Sequence, residues 1–255
     1  MTLSLSGRRA ARGAVLPVLL LVLWETASRA QWVDTKLLPP IEAVLDVFIH
    51  ELTENGLLGH LVASLSRNLT GFAIGSALGA AFGALLGLSR AADYLLGPSF
   101  HGFKQIARLA WIPLLSIWFG FAESAKVVFI ALSAFVPVAL NTYEGVRRVP
   151  QPLIEVGRAL QFSTAQFVFK VFLPSALPSI LVGLQLALIY SWLGTVAAEY
   201  FMAVGPGIGG LIVSGRDRFE MELVMLGVVL LGSVGFVLSL IASRASHYLL
   251  RWQRP

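Results

Sequence analysis

From Glu222 to Ser243 the chain reads ELVMLGVVLLGSVGFVLSLIAS, with no charge after the first residue. At about 1.5 Å per residue such a run is roughly 30 Å long as a helix, which matches the hydrocarbon core of a bilayer. A helix also satisfies every backbone polar group without water, which lipid requires. Five further runs begin near Ala14, Asn68, Leu95, Ala125 and Pro178. The first covers AVLPVLLLVLWETASRA. The third, LLGPSFHGFKQIARLAWIPLLSIWFG, is interrupted by Lys104, Arg108 and Pro113. It is expected to start in the headgroup region and to enter the bilayer near Leu109.

Composition fits this reading. Only 13% of the 255 residues are charged and 56% are hydrophobic, against about a quarter charged in soluble domains. The expectation is an all-α polytopic membrane protein of about six transmembrane helices, with residues 1–255 forming one transmembrane domain. The absence of cysteine excludes a disulfide framework and thiolate chemistry. The net charge of +5 reports membrane topology here rather than nucleic-acid binding.

With the N-terminus placed inside, 13 of the 19 Lys and Arg fall in inner segments, among them Arg8, Arg9, Arg12, Arg90, Lys104, Arg108, Arg147, Arg148, Arg158 and Lys170. Arg29, Lys36, Arg67, Lys126, Arg216 and Arg218 fall outside, with most of the acids. This positive-inside bias puts both termini in the cytoplasm. The N-terminal arginines, a short apolar core and SRA before Gln31 also match a cleaved secretory signal, which would leave five spans and an outer N-terminus. Arg29 at the cleavage position and Trp24, suited to a membrane interface, favour an uncleaved helix.

In the second span Gly71, Gly75, Gly79, Gly83 and Gly87 recur at every fourth residue. On a helix they form one bare stripe that lets another helix approach closely. Packing within one subunit is expected of it, rather than a seam between two copies.

Between the fourth and fifth spans lies VPQPLIEVGRALQFSTAQFVFKVFLP. Pro150 and Pro152 suit a helix start. Leu153, Val156, Gly157 and Leu160 share one face, with Glu155, Arg158 and Gln161 on the other. Ser163 and Gln166 form a capping-box pattern that opens a second helix. Pro174 and Pro178 are expected to bend the chain into the fifth span. A short amphipathic helix displayed to the cytoplasm fits either a groove in another protein or the lipid headgroups.

Residues 155–174, EVGRALQFSTAQFVFKVFLP, resemble the EAA signature of ATP-binding-cassette importer permeases. Glu155 is the acid, and Val171, Phe172, Leu173 and Pro174 form the close. Val156 and Gly157 replace the usual Ala pair, and Gln161 stands where Gly is usual. LLPPIEAV, LAWIPLLSIWFGFAESAKV, LPSALPSILVGLQLAL and WLGTVAAEY resemble the nitrate/sulfonate/taurine subfamily, above all the aliphatic-sulfonate permeases.

The resemblance implies a type I importer permease fold in a bacterial cytoplasmic membrane, and no cofactor. Two permease copies would form the pathway. Two copies of a separate ATPase subunit would grip the coupling segment, about residues 150–174, through Glu155, Val156, Gly157, Arg158, Ala159, Leu160, Gln161 and Phe162. An external binding protein would deliver the substrate. An aliphatic sulfonate or taurine is the substrate implied first; nitrate, bicarbonate or a thiamine precursor are alternatives within the class.

Polar groups within spans are costly in lipid and usually face an interior. Ser116, Ser133, Asn141, Gln185, Tyr190, Ser191, Thr195 and Glu199, with Trp111 and Trp118 nearby, are the pathway candidates. Their hydroxyl, amide and indole donors suit an anion. Glu199 would repel one and is placed at the outer end of the fifth span, as a gate or docking residue. Glu25 is expected to pair with Arg29. GPGIGG, Gly205 to Gly210, has the G-x-G-x-x-G spacing of a dinucleotide loop but follows a span and lacks a soluble strand. It reads as a flexible external loop. His50, His60, His101 and His247 show no metal-ligand spacing. A self-contained secondary transporter or channel would want coupling acids at mid-membrane, which the spans lack. An intramembrane enzyme would want a nucleophile–base or paired-acid group inside them.

Overall fold

The computed structural model describes residues 3–250. They form eleven α-helices and no strand: α1 Leu3–Arg29, α2 Ile41–Thr53, α3 Leu57–Leu88, α4 Arg90–Phe103, α5 Trp111–Phe119, α6 Glu123–Arg147, α7 Gln151–Ala159, α8 Thr164–Phe167, α9 Leu173–Phe201, α10 Ile208–Arg218 and α11 Met221–Leu249. Four helical stretches are long and apolar enough to cross a bilayer: α3, α6, α11 and the continuous rod of α8 and α9. With α1 and the broken pair α4/α5 they account for the six sequence runs.

The centre is α6, between α3, which runs parallel to it, and α9, which runs antiparallel. Ala125, Ile130, Ala134, Val138 and Ala139 on it are completely buried. The glycine stripe makes the α3–α6 contact. A methyl group on Gly79 would lie 2.6 Å from the Phe135 carbonyl oxygen, and Gly71, Gly75, Gly83 and Gly87 face Ile130, Ala131, Ala139 and Val146 in the same register. The stripe therefore packs within one subunit. On α1 the apolar residues from Val15 to Leu23 remain about half exposed, as lipid-facing residues do.

Three expectations change. The second span starts at Leu57, eleven residues before Asn68, because Leu57, Leu61 and Val62 extend the helix beyond Arg67. The third run does not enter the bilayer as one helix. It breaks after Phe103, makes a 3-10 turn over Arg108–Ala110, and resumes as nine-residue α5. At about 1.5 Å per residue α5 is less than half a bilayer long. The helix does not break at Pro174. A π-helical turn over Val168–Phe172, where Leu173 N–H reaches back five residues to the Val168 carbonyl, widens the helix ahead of Pro174 and Pro178. This accommodates a ring that would otherwise clash with the preceding turn.

Candidate functional site

Three places concentrate polar chemistry. The first is the elbow α7–α8. Almost all of α7 is exposed, including Leu153, Val156 and Leu160 on its apolar face and Glu155 and Arg158 on its polar face. Gly157 is the buried exception. The Phe167 ring leaves no room there, since an added methyl would lie 2.7 Å from its edge, and Phe162 meets Phe167 edge-on with 5.9 Å between centroids. The helix ends in a Schellman motif: Phe162 N–H donates to Gly157 O and Gln161 N–H to Arg158 O, both at 3.0 Å. The motif puts its C′ residue in the left-handed region, normally glycine. Here Gln161 takes it with φ 53°. Ser163 and Gln166 then form a complete capping box for α8, as their spacing predicts.

The second place lies at the Glu123 end of α6. Arg67, 5% exposed, joins two carboxylates. Its Nε and Nη2 donate to Glu123 at 2.6 and 2.8 Å, its Nη1 pairs with Glu199, and Nη2 also donates to Pro206 O at 3.1 Å. Glu199, 1% exposed, further accepts from Ser64 Oγ at 2.8 Å and Gly209 N–H at 2.9 Å. Lys126, equally buried, donates to Glu123 at 3.3 Å and to Val204 O. Two cations and two acids thus balance within one cluster.

This cluster corrects two expectations. Glu199, expected to repel an anion, is buried and paired with Arg67. The GPGIGG segment is not a flexible loop. A methyl on Gly207 would lie 2.7 Å from the Glu199 carboxyl carbon, and one on Gly209 would lie 2.5 Å from its Cβ. Gly207 N–H donates to His60 Nδ1 at 3.0 Å. The glycines are bare because they wrap a buried carboxylate.

The third place is a cavity of about 610 Å³ at the break between α4 and α5. Residues 103–109 and Trp111 form one wall; the middle of α6, from Leu132 to Asn141, and the middle of α9, from Leu186 to Tyr190, form the others. The Arg108 guanidinium lies over the Tyr190 ring, 4.0 Å from its centroid. Lys104 also lines the cavity. Without these two, the basic residues still divide eleven to six in favour of the segments expected inside.

Of the pathway candidates, Trp111, Asn141 and Tyr190 line this cavity. Ser133, Ser191 and Thr195 are buried between helices, the last two accepting from Asn68 Nδ2 at 3.1 Å each. Gln185 donates to Ala242 O at 3.4 Å and so ties α9 to α11. Ser116 bonds within its own helix, and Trp118 is 62% exposed. Glu25 does pair with Arg29, which also reaches Glu42. Trp24 donates its indole N–H to Pro39 O at 2.8 Å, so its polar end is held by the protein. Sequence reasoning missed Ser64, Arg67, Lys126 and Arg108 as site residues. The available signal was an arginine one turn ahead of a glycine stripe and two cations inside an apolar run.

The family model described as binding-protein-dependent transport system inner membrane component matches residues 71–255. The aliphatic sulfonates transport permease protein SsuC of Bacillus subtilis is 35% identical, over 95% of this chain and 87% of its own length. SsuC of Escherichia coli is 37% identical, over 93% and 90%. The bicarbonate transport system permease protein CmpB of Synechococcus elongatus is 35% identical, over 78% and 71%. Among solved structures, an inward-facing form of the MetNI methionine ABC transporter superposes with TM-score 0.64 at 21% identity, over 77% of this chain and 98% of the other. That likeness supports the helical arrangement described above, with its central α3–α6–α9 layer. On the family match and these permeases, the chain belongs to the inner membrane component family of binding-protein-dependent transport systems, with the type I ABC importer permease fold.

Proposed function

We propose that two copies of this chain form the pathway of an importer for a small oxyanion, an aliphatic sulfonate in the first instance, with a separate ATPase subunit docked on α7–α8. The observation that carries this reading is the elbow itself. It is held rigid by the Phe162–Phe167 clamp and the capping box, yet Leu153, Val156 and Leu160 lie uncovered beside Glu155 and Arg158. An exposed apolar stripe rimmed by charge suits a groove on a partner. ATP hydrolysis belongs to that partner, one copy for each permease. Delivery by an external binding protein follows the family's description. The positive-inside bias supports cytoplasmic termini and a cytoplasmic elbow. The contacts of Arg29 with Glu25 and Glu42 support a first helix retained in one transmembrane domain.

Sulfonate is favoured over bicarbonate because the sulfonate relatives match more of the chain. The test is uptake in proteoliposomes that contain the chain, its ATPase and its binding protein. ATP-dependent accumulation of ethanesulfonate or taurine, exceeding that of nitrate and bicarbonate, is expected. Uptake without the ATPase would identify a secondary transporter instead. ATP-dependent uptake of nitrate or bicarbonate alone would reassign the substrate.

A further inference from the structure

We propose that the break between α4 and α5 is an oxyanion-binding site, with Arg108 as its principal ligand and Lys104 as its second cation. The proposal rests on the importer reading above and adds the residues that would hold the substrate. Depth is the first argument. Along α9, Leu186 and Tyr190 stand about 20 and 26 Å from its start at Leu173, in a helix of about 44 Å, so the cavity they line lies near mid-membrane. Non-helical backbone is tolerated at that depth only where it lines a cavity or is buried in protein. Cations are costly there and mark ion or substrate routes.

Elsewhere this chain pairs the cations it buries. Arg67 and Lys126 are buried and paired with carboxylates. Arg108, exposed on the single chain, and half-buried Lys104 form no ion pair or side-chain hydrogen bond among the described residues, and no acid lines their cavity. Stacking on Tyr190 fixes the guanidinium while leaving its in-plane N–H donors free for a ligand. Such a planar fork matches the oxygens of a sulfonate. The opposite wall, Leu132, Val136, Leu140 and Leu186, is apolar. A charged head with a short alkyl tail fits both halves of the site better than a bare inorganic ion.

The full chain in phosphatidylcholine nanodiscs, without ATPase, should bind ethanesulfonate saturably by calorimetry. Arg108→Ala should weaken that binding on the order of tenfold to a hundredfold, the worth of charge-assisted hydrogen bonds. Arg108→Lys should fall between the two. Phosphatidylglycerol nanodiscs separate the two sources of oxyanion. Unchanged ethanesulfonate affinity there supports the transported anion, whereas loss of binding in wild type would show a lipid headgroup site and overturn the proposal. It is also overturned if wild type shows no saturable binding, or if Arg108→Ala and Arg108→Lys both bind as wild type does. Should Arg108→Ala elute as a changed oligomer, an Arg108→Lys variant that keeps the native oligomer but gains nothing over Arg108→Ala would overturn it too. Intact binding combined with uptake that needs no ATPase would leave this site standing and refute the importer reading instead.

Discussion

Arg67→Met would remove the guanidinium that serves two carboxylates at once. Glu199 would keep Ser64 Oγ and the Gly209 N–H, and Glu123 would keep Lys126. Glu199 would lose the only cation paired with it among the described residues, at a site 1% exposed. Stripping one partner from a buried ion pair costs about 3–5 kcal/mol. The two surviving hydrogen bonds place the loss near the lower figure, about 3 kcal/mol. For a chain of this size that corresponds to a fall in Tm of about 6–12 °C. The assay is fluorescence-detected size exclusion of detergent-solubilised protein after a series of heat steps. Arg67→Met combined with Glu199→Gln removes the stranded charge and should regain roughly half of the loss. A single variant that melts within about 2 °C of wild type, or a double variant no better than the single, would refute the view of this cluster as a mutually dependent unit.

Gly79→Leu should abolish the monodisperse species, since the side chain would meet the Phe135 carbonyl and rigid backbone cannot yield; normal expression with activity would contradict the stripe's role. Gln161→Gly relieves a left-handed glutamine and should stabilise the elbow by up to about 1 kcal/mol, seen as slower proteolysis between α7 and α8; faster cleavage would argue against the Schellman reading. Glu155→Arg leaves the fold intact, because the residue is exposed, but should reduce co-purification of the ATPase by tenfold or more; wild-type recovery would mean that α7 rests on lipid.

What could be read from the residues was local or periodic. The glycine stripe repeats at one helical face, the capping box needs two residues three apart, and the amphipathic α7 is an uninterrupted stretch of chain. Glu199 was misread because its partner Arg67 lies 132 residues away, a separation no periodicity reports. Arg67 itself resembles a residue just outside a span, because a charge ends an apolar run, but the helix starts at Leu57. GPGIGG read as mobile because bare backbone has two uses, freedom and close approach, and only the buried carboxylate decides between them. The helix runs on through Pro174 because a π-helical turn ahead of it absorbs what the missing N–H would otherwise break.

The central claim is that α7 is the handle by which a separate ATPase acts on this membrane helix bundle. The chain has no cysteine, so single cysteines report without background. Val156→Cys sits on the uncovered face of α7 at 55% exposure, and Leu58→Cys is comparably exposed at the opposite end of the bundle. Both would be treated with a short bifunctional thiol reagent in membranes that contain the ATPase with one cysteine in its docking groove. The account predicts a permease–ATPase adduct from position 156, with a yield that changes when ATP is added, and none from position 58. An adduct from position 58, or none from 156 while uptake remains ATP-dependent, would contradict it.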